Sequence, residues 1–161
     1  YPHDKTIPQL FEEQVIRTPQ KTALVFEGDR LSYEDLNRQA NRYARLLRER
    51  GVAPGTIVGL MADRSLEMIV GIMAILKAGG AYLPLDPTHP TERIQYTLTD
   101  SGAKLVLTQP HLTANIKELD YIVLGETSGL PNQDSDLDNV NAPTDLAYVL
   151  YTSGSTGKPK A

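Results

Sequence analysis

The residues best suited to chemistry lie at the end of the chain, in "YVLYTSGSTGKPKA", Tyr148 to Ala161. Thr152, Ser153, Ser155 and Thr156 bring hydroxyls, Gly154 and Gly157 have two residues between them, and Lys158 and Lys160 flank Pro159. Phosphate oxygens need donors that approach closely. Glycines let backbone N–H groups turn toward an anion in conformations that other residues resist, hydroxyls add donors, and lysines add charge. The same composition also suits a flexible Gly/Ser linker, so composition alone leaves both readings open. The Walker phosphate loop is excluded, because that motif puts four residues between its glycines and Ser or Thr after its lysine, whereas Pro159 follows Lys158 here.

Two other groups invite a chemical reading and resist it. Asp134, Asp136, Asp138 and Asp145 fall at positions 1, 3, 5 and 12 of a calcium-loop template. Asn139 occupies the place of the required glycine, and Pro143 spoils the helix that should follow, so a solvated connector is the expectation for this segment. His3, His89 and His111 are far apart and lack metal spacing, which points to surface or turn roles. No metal ligands and no catalytic side chains are assigned.

The elements that must position the terminal loop follow from periodicity. "PQLFEEQVIRT" carries Leu10, Phe11, Gln14 and Val15 on one helical face before Pro19, within an approach segment over 1–20 whose helix docks. "TALVFEGDRLSY" predicts a hairpin turning around Gly28 and Asp29. Ser32 and Asp35 form a capping-box pattern for an amphipathic surface helix that runs to Gly51. "TIVGLM" predicts a strand, and "LEMIVGIMAILKAGG", apolar on nearly every side, a buried helix with Ser65 as N-cap and Gly79 and Gly80 as its stop. "AYLPLD" predicts a strand that is irregular or at an edge at Pro84, Pro90 opens a helix to about Gly102, and "KLVLT", "DYIVLG" and a last, buried "DLAYVLYT" complete the strands. Between the last two, residues 126–145 hold five acidic side chains and no basic one.

Strand and helix by turns imply an α/β fold: a mostly parallel sheet with helices on both faces, whose ligands bind beyond the carboxyl ends of the strands. The terminal loop sits at such an end. The 161 residues carry a net charge of −4 and no cysteine, which argues against a nucleic-acid or anionic-membrane partner and against disulfide or Cys-zinc frameworks. No signal peptide and no run long enough for a membrane helix is present, so a cytoplasmic setting is expected. The chain opens on Tyr1 and stops at Ala161 just after the loop, and the expectation is a piece of a larger protein.

Taken in order, "LSYEDL" at 31–36, "LKAGGAYLPLD" at 76–86 and "LAYVLYTSGSTGKPKA" at 146–161 resemble the first three core motifs of the adenylation domains of nonribosomal peptide synthetases. The resemblance implies that residues 21–161 are the N-terminal portion of the large adenylate-forming domain, truncated after the phosphate loop. It implies activation of an amino or aryl acid by ATP with Mg²⁺, release of pyrophosphate, and transfer of the acyl group to the phosphopantetheine thiol of a carrier domain. By the same resemblance Thr152, Ser153, Gly154, Ser155, Thr156, Gly157, Lys158 and Lys160 contact the ATP phosphates, and Ala161 stands where Gly is usual. The Mg²⁺ carboxylate, the adenine and acyl pockets and the catalytic lysine are expected beyond residue 161, so the fragment alone is expected to be inactive. The remainder of the adenylation domain and an upstream condensation domain are the other implied partners. Two rivals stay open: an acyl- or aryl-CoA ligase of the same superfamily, and a non-enzymatic α/β docking module with an inert Ser/Gly tail.

Overall fold

The computed structural model describes residues 4–116, 119–126, 129–153 and 159–160. Helix α1 (Ile7–Arg17) leads to the hairpin β1 (Thr22–Phe26) and β2 (Asp29–Ser32), helix α2 (Tyr33–Glu49), β3 (Ile57–Met61), α3 (Leu66–Ala78), β4 (Ala81–Leu85), α4 (Thr91–Ser101), β5 (Leu105–Thr108), a 3-10 turn (Pro110–Asn115) and β6 (Asp120–Val123). Two short strands end the chain, β7 (Thr152–Ser153) and β8 (Pro159–Lys160). Strands β3 to β6 form a parallel sheet in the order β4-β3-β5-β6.

Period-two alternation sorts the strand side chains to two faces. Val58 and Leu60 of β3, Leu105 and Leu107 of β5 and Ile122 of β6 pack with α2 and α3 through Tyr43, Leu47, Val70, Ala74 and Ile75. Met61, Leu83, Leu85 and Val106 face the other way, onto Ile94 and Leu98 of α4. The α/β class, with helices on both faces of a parallel sheet, is therefore the observed one. Gly59 lets α4 come close, since a Cβ there would stand 3.1 Å from Leu98 Cδ2.

The hairpin turns on Glu27 and Gly28, both at positive φ (50° and 86°), with Phe26 opposite Asp29; the turn lies one residue earlier than expected because a two-residue loop of this hand needs both central residues at positive φ. Ser32 Oγ accepts from the Asp35 backbone N–H at 3.1 Å and starts α2, but the reciprocal half of the capping box does not form among the described residues. The full box occurs instead at Thr6, whose N–H donates to Gln9 Oε1 at 2.8 Å while its Oγ1 accepts from Gln9 N–H. Ser65 caps α3 through Met68 N–H, and Gly79 ends it at φ 105°.

Residues 129–145 stay mostly exposed, as expected of a solvated connector, but they are not loose, because α2 offers a row of cations for their backbone to bind. Arg42 Nε donates to Pro131 O at 2.9 Å, Arg45 to Gln133 O at 3.2 Å, and Arg48 to Asp138 O. Asn37 and Asn41 donate to the Asp136 carboxylate at 2.8 and 3.1 Å. The segment straps the polar face of α2.

Asp136 then meets Lys77, whose side chain is 1% exposed inside α3, and Lys77 also pairs with Glu12 of α1 and stands over the Phe11 ring. Burial raises the Glu12 pKa, and the bond and charge of Lys77 only partly oppose it. Burial acts on Asp136 in the same sense, but its bonds from Asn37 and Asn41 and the Lys77 charge together hold its pKa below the ordinary carboxylate value. One buried ammonium thus joins α1, α3 and the strap.

Candidate functional site

Residues 146–151 run beside β4, where Tyr82 N–H donates to Ala147 O and Val149 N–H to Tyr82 O, both at 3.0 Å. This makes a single parallel bridge, Tyr82 to Tyr148, with the two rings 5.8 Å apart. The expected buried last strand is corrected here. Leu146, Tyr148 and Leu150 are 56%, 51% and 54% exposed, while Val149 and Tyr151 lie against the α4-side core. Pro84 explains why the ladder stops: the next bond along β4 would have to come from its backbone nitrogen, which carries no hydrogen.

In that register Tyr151 stands level with Leu85, the carboxyl end of β4. The next residue opens β7, which pairs antiparallel with β8, Thr152 opposite Lys160 and Ser153 opposite Pro159. Of the residues assigned to phosphate, the structure thus brings Thr152, Ser153 and Lys160 into one hairpin, whereas Gly154, Ser155, Thr156, Gly157 and Lys158 lie outside the described residues. Tyr151 Oη donates to Asp100 Oδ2 of α4 at 2.7 Å, and burial together with that carboxylate pushes the phenol up to about 12.

Beside the hairpin base a cavity of about 490 Å³ opens beyond the carboxyl ends of β3 and β4, with Asp63, Arg64, Asp86, His89, Arg93 and Tyr151 on its walls. The strand order reverses between β3 and β5, so the cavity lies beside the switch point at which open α/β sheets take their ligands and shares β3 with it. Its rim is tied by polar bonds: Gln109 Oε1 accepts from Asp63 N–H at 2.8 Å, Thr108 Oγ1 donates to Met61 O at 2.8 Å, and His111 Nε2 lies 2.6 Å from Asp63 Oδ2. Asp86 accepts from the hydroxyl and backbone N–H of Thr88 at 2.7 and 2.9 Å, and these bonds lower its pKa.

Sequence reasoning missed this rim. His89 and His111 take the turn and surface places expected of them, His89 3.5 Å from Asp86, and His3 lies outside the described residues. The signal for Asp63 and Asp86 was positional, since each follows the last apolar residues of a strand. Among the described residues no three His, Asp or Glu side chains gather as metal ligands. The four aspartates of the calcium template instead serve the strap, where Asp145 accepts from Ala142 N–H at 2.9 Å and Asp136 answers Asn37, Asn41 and Lys77.

A family model described as AMP-binding enzyme matches residues 11–161. The chain belongs to the AMP-binding enzyme family. Two relatives of this AMP-binding chain are gramicidin S synthase 2 of Brevibacillus brevis, 53% identical over 161 residues that cover 99% of the chain and 4% of that protein, and tyrocidine synthase 3 of Brevibacillus parabrevis, 56% identical over 161 residues that cover 99% and 2%. A solved structure of the nonribosomal peptide synthetase FmoA3, in an α-methyl-L-serine-AMP bound form, matches with a TM-score of 0.89 at 36% identity, covering 99% of this chain and 18% of that one. The N-terminal subdomain of Klebsiella oxytoca NpsA matches with a TM-score of 0.85 at 28% identity, covering 99% and 41%. The chain therefore spans a small part of the relatives it matches. Within the AMP-binding family, the resemblance to nonribosomal peptide synthetase adenylation domains extends over nearly all of it.

Proposed function

We propose that this chain supplies the ATP-phosphate loop, and the α/β layer that carries it, to a domain that activates an amino or aryl acid as its acyl adenylate for nonribosomal peptide synthesis. The observation that carries the reading is the placement of the β7–β8 hairpin, which starts one residue after the sheet segment reaches the carboxyl end of β4. Thr152, Ser153, Ser155 and Thr156 would offer hydroxyl donors, Gly154 and Gly157 close backbone approach, and Lys158 and Lys160 positive charge.

In the proposed reaction a carboxylate oxygen of the acid attacks the α-phosphorus of ATP. The bond from that phosphorus to the oxygen bridging the β-phosphate breaks, and pyrophosphate leaves with the electron pair. Donors around the β- and γ-phosphates stabilise the charge that grows there in the transition state, which lowers the barrier rather than merely tightening binding. A carrier-domain phosphopantetheine thiol then attacks the acyl carbonyl carbon, and AMP departs. Mg²⁺ would neutralise phosphate charge, but the described residues offer no ligand group for it, so no step is assigned to it.

Residues 1–20 are proposed as an approach segment from an upstream condensation domain, held on the fold by Phe11, Val15 and the Glu12–Lys77 pair. No helix among the described residues is long and apolar enough to cross a membrane, and a cytoplasmic setting with ATP supply is proposed. Loading of radiolabelled amino acids onto a phosphopantetheinylated carrier by the complete protein tests the reading. Acyl transfer to free coenzyme A in place of the carrier would replace it with the CoA-ligase alternative.

A further inference from the structure

Asp100 occupies an awkward place. It is exposed in the last turn of α4, whose final residue Ser101 precedes Gly102 at φ 77°, and no basic side chain shares that turn. A carboxylate there faces the negative end of the helix dipole, which ordinarily disfavours it by ~0.3–1 kcal/mol. Its bond partner is Tyr151 Oη at 2.7 Å. Tyr151 immediately precedes β7, and the other leg of the hairpin, β8, also lies against α4. Helix α4 is a firm support, since Ile94 and Leu98 are each 1% exposed in the core beneath the sheet.

The segment leading to the hairpin has few other ties. Among the described residues its backbone pairs with β4 only around Tyr82, because Pro84 cannot donate, so between Val149 and Thr152 the chain is held to the body by Tyr151, through the packing of its ring on the α4-side core and the hydrogen bond of its phenol. Each backbone residue that binding has to fix costs ~1–2 kcal/mol, so an anion site gains from a base that is already held in place.

We infer that Asp100 is a positioning residue for the nucleotide: by accepting the Tyr151 hydroxyl it anchors the base of the 152–160 hairpin to α4 in the orientation that receives the ATP phosphates. This rests on the reading of that hairpin as the phosphate loop. The bond needs an acceptor oxygen on residue 100 and a hydroxyl on residue 151, but no charge on either. Asp100→Asn therefore keeps it, whereas Asp100→Ala and Tyr151→Phe abolish it.

Steady-state kinetics of the complete protein, with ATP and the activated acid varied separately, tests this. Tyr151→Phe and Asp100→Ala are each expected to raise the KM for ATP roughly five- to ten-fold, the scale of one lost hydrogen bond. The KM for the acid stays at its wild-type value, Asp100→Asn stays within about two-fold of wild type, and the double variant is no worse than either single one. Unchanged KM for ATP in both single variants, additive losses in the double variant, or a lowered melting temperature without a KM effect would each overturn the positioning role. Lys158→Ala runs alongside as the control for the loop itself. If Lys158→Ala lowers kcat or raises the KM for ATP while Tyr151→Phe leaves the KM for ATP unchanged, the anchor fails and the loop reading stands; if Lys158→Ala changes neither kcat nor KM, the loop reading fails.

Discussion

Lys77 is the side chain whose loss should be felt most sharply outside the site, and the structure says where. Its ammonium sits at the junction of α1, α3 and the strap with 1% of the side chain exposed, paired with Glu12 and with Asp136 at 3.6 Å. Lys77→Met keeps the stem and removes the charge, which leaves two carboxylates facing each other across the junction. Removing one member of a buried ion pair costs about 3–5 kcal/mol. Glu12 and Asp136 keep 20% and 42% of their side-chain surface in water, and Asp136 retains Asn37 and Asn41, so the cost should lie at the low end, about 3 kcal/mol. Because α1 lies at the surface with Val15 as its one buried residue among the described residues, the loss should appear as easier opening of α1. Hydrogen exchange measured residue by residue in the complete protein should show its amides from Leu10 to Arg17 exchanging ~100-fold faster, with Val58 and Leu107 in the central strands unchanged. Adding Glu12→Leu to Lys77→Met removes the stranded carboxylate and should bring α1 back to within ~10-fold of wild type, as apolar replacements of buried pairs do. Protection of α1 that is unaltered by Lys77→Met would refute the reasoning.

Other outcomes follow from single contacts. Gly79→Ala should cost about 2–4 kcal/mol in denaturant unfolding, because residue 79 sits at φ 105° and its new Cβ would lie 2.6 Å from Val140 Cγ2; Val140→Ala in the same chain should recover only the steric part. Tyr43→Phe removes the hydrogen bond that the Gly125 N–H donates to Tyr43 Oη at 2.9 Å and, because Gly125 is exposed and its N–H can turn to water, should cost about 0.5–1.5 kcal/mol by the same assay. The pH response should divide between the two carboxylates of the Lys77 junction. Asp136, held below its ordinary 3.8, contributes stability that is whole above that value and is lost as pH falls through its folded pKa. Glu12, raised above 4.5, binds its proton more tightly when folded, so its contribution is greatest in acid and fades as pH rises through its folded pKa. Urea midpoints compared at about pH 5 and about pH 3 should therefore fall less in Asp136→Asn than in wild type.

The helices and central strands could be read from the sequence because local chemistry and tertiary burial agree there. Ser65 and Gly79 bound α3 through side-chain capping and a left-handed residue, both of which leave a mark in the sequence. The strap could not be read, since its partners are arginines on α2 roughly ninety positions away and its bonds are mostly to backbone carbonyls, which no side-chain pattern records. Lys77 was hidden for a related reason: a lone cation in an apolar helix looks like a boundary residue until its acids arrive from α1 and the strap. The terminal segment erred in the opposite direction. Its apolar run predicted burial, but a neighbouring proline limits it to one bridge and leaves alternate residues exposed. For the candidate site, the hairpin's composition was visible, whereas the Tyr151–Asp100 tie and the Asp63 and Asp86 rim depend on which strand ends the topology brings together.

The central claim is that the hairpin after Tyr151 holds the phosphates of ATP while an acid is adenylated. Acid-dependent ATP–pyrophosphate exchange by the complete protein, compared between wild type and Lys158→Ala, addresses it most directly. The account predicts exchange that requires one amino or aryl acid and that Lys158→Ala slows by roughly 10²-fold, the scale of a lost transition-state charge contact. Exchange that is indifferent to Lys158→Ala, or absent with every amino and aryl acid supplied, would contradict it.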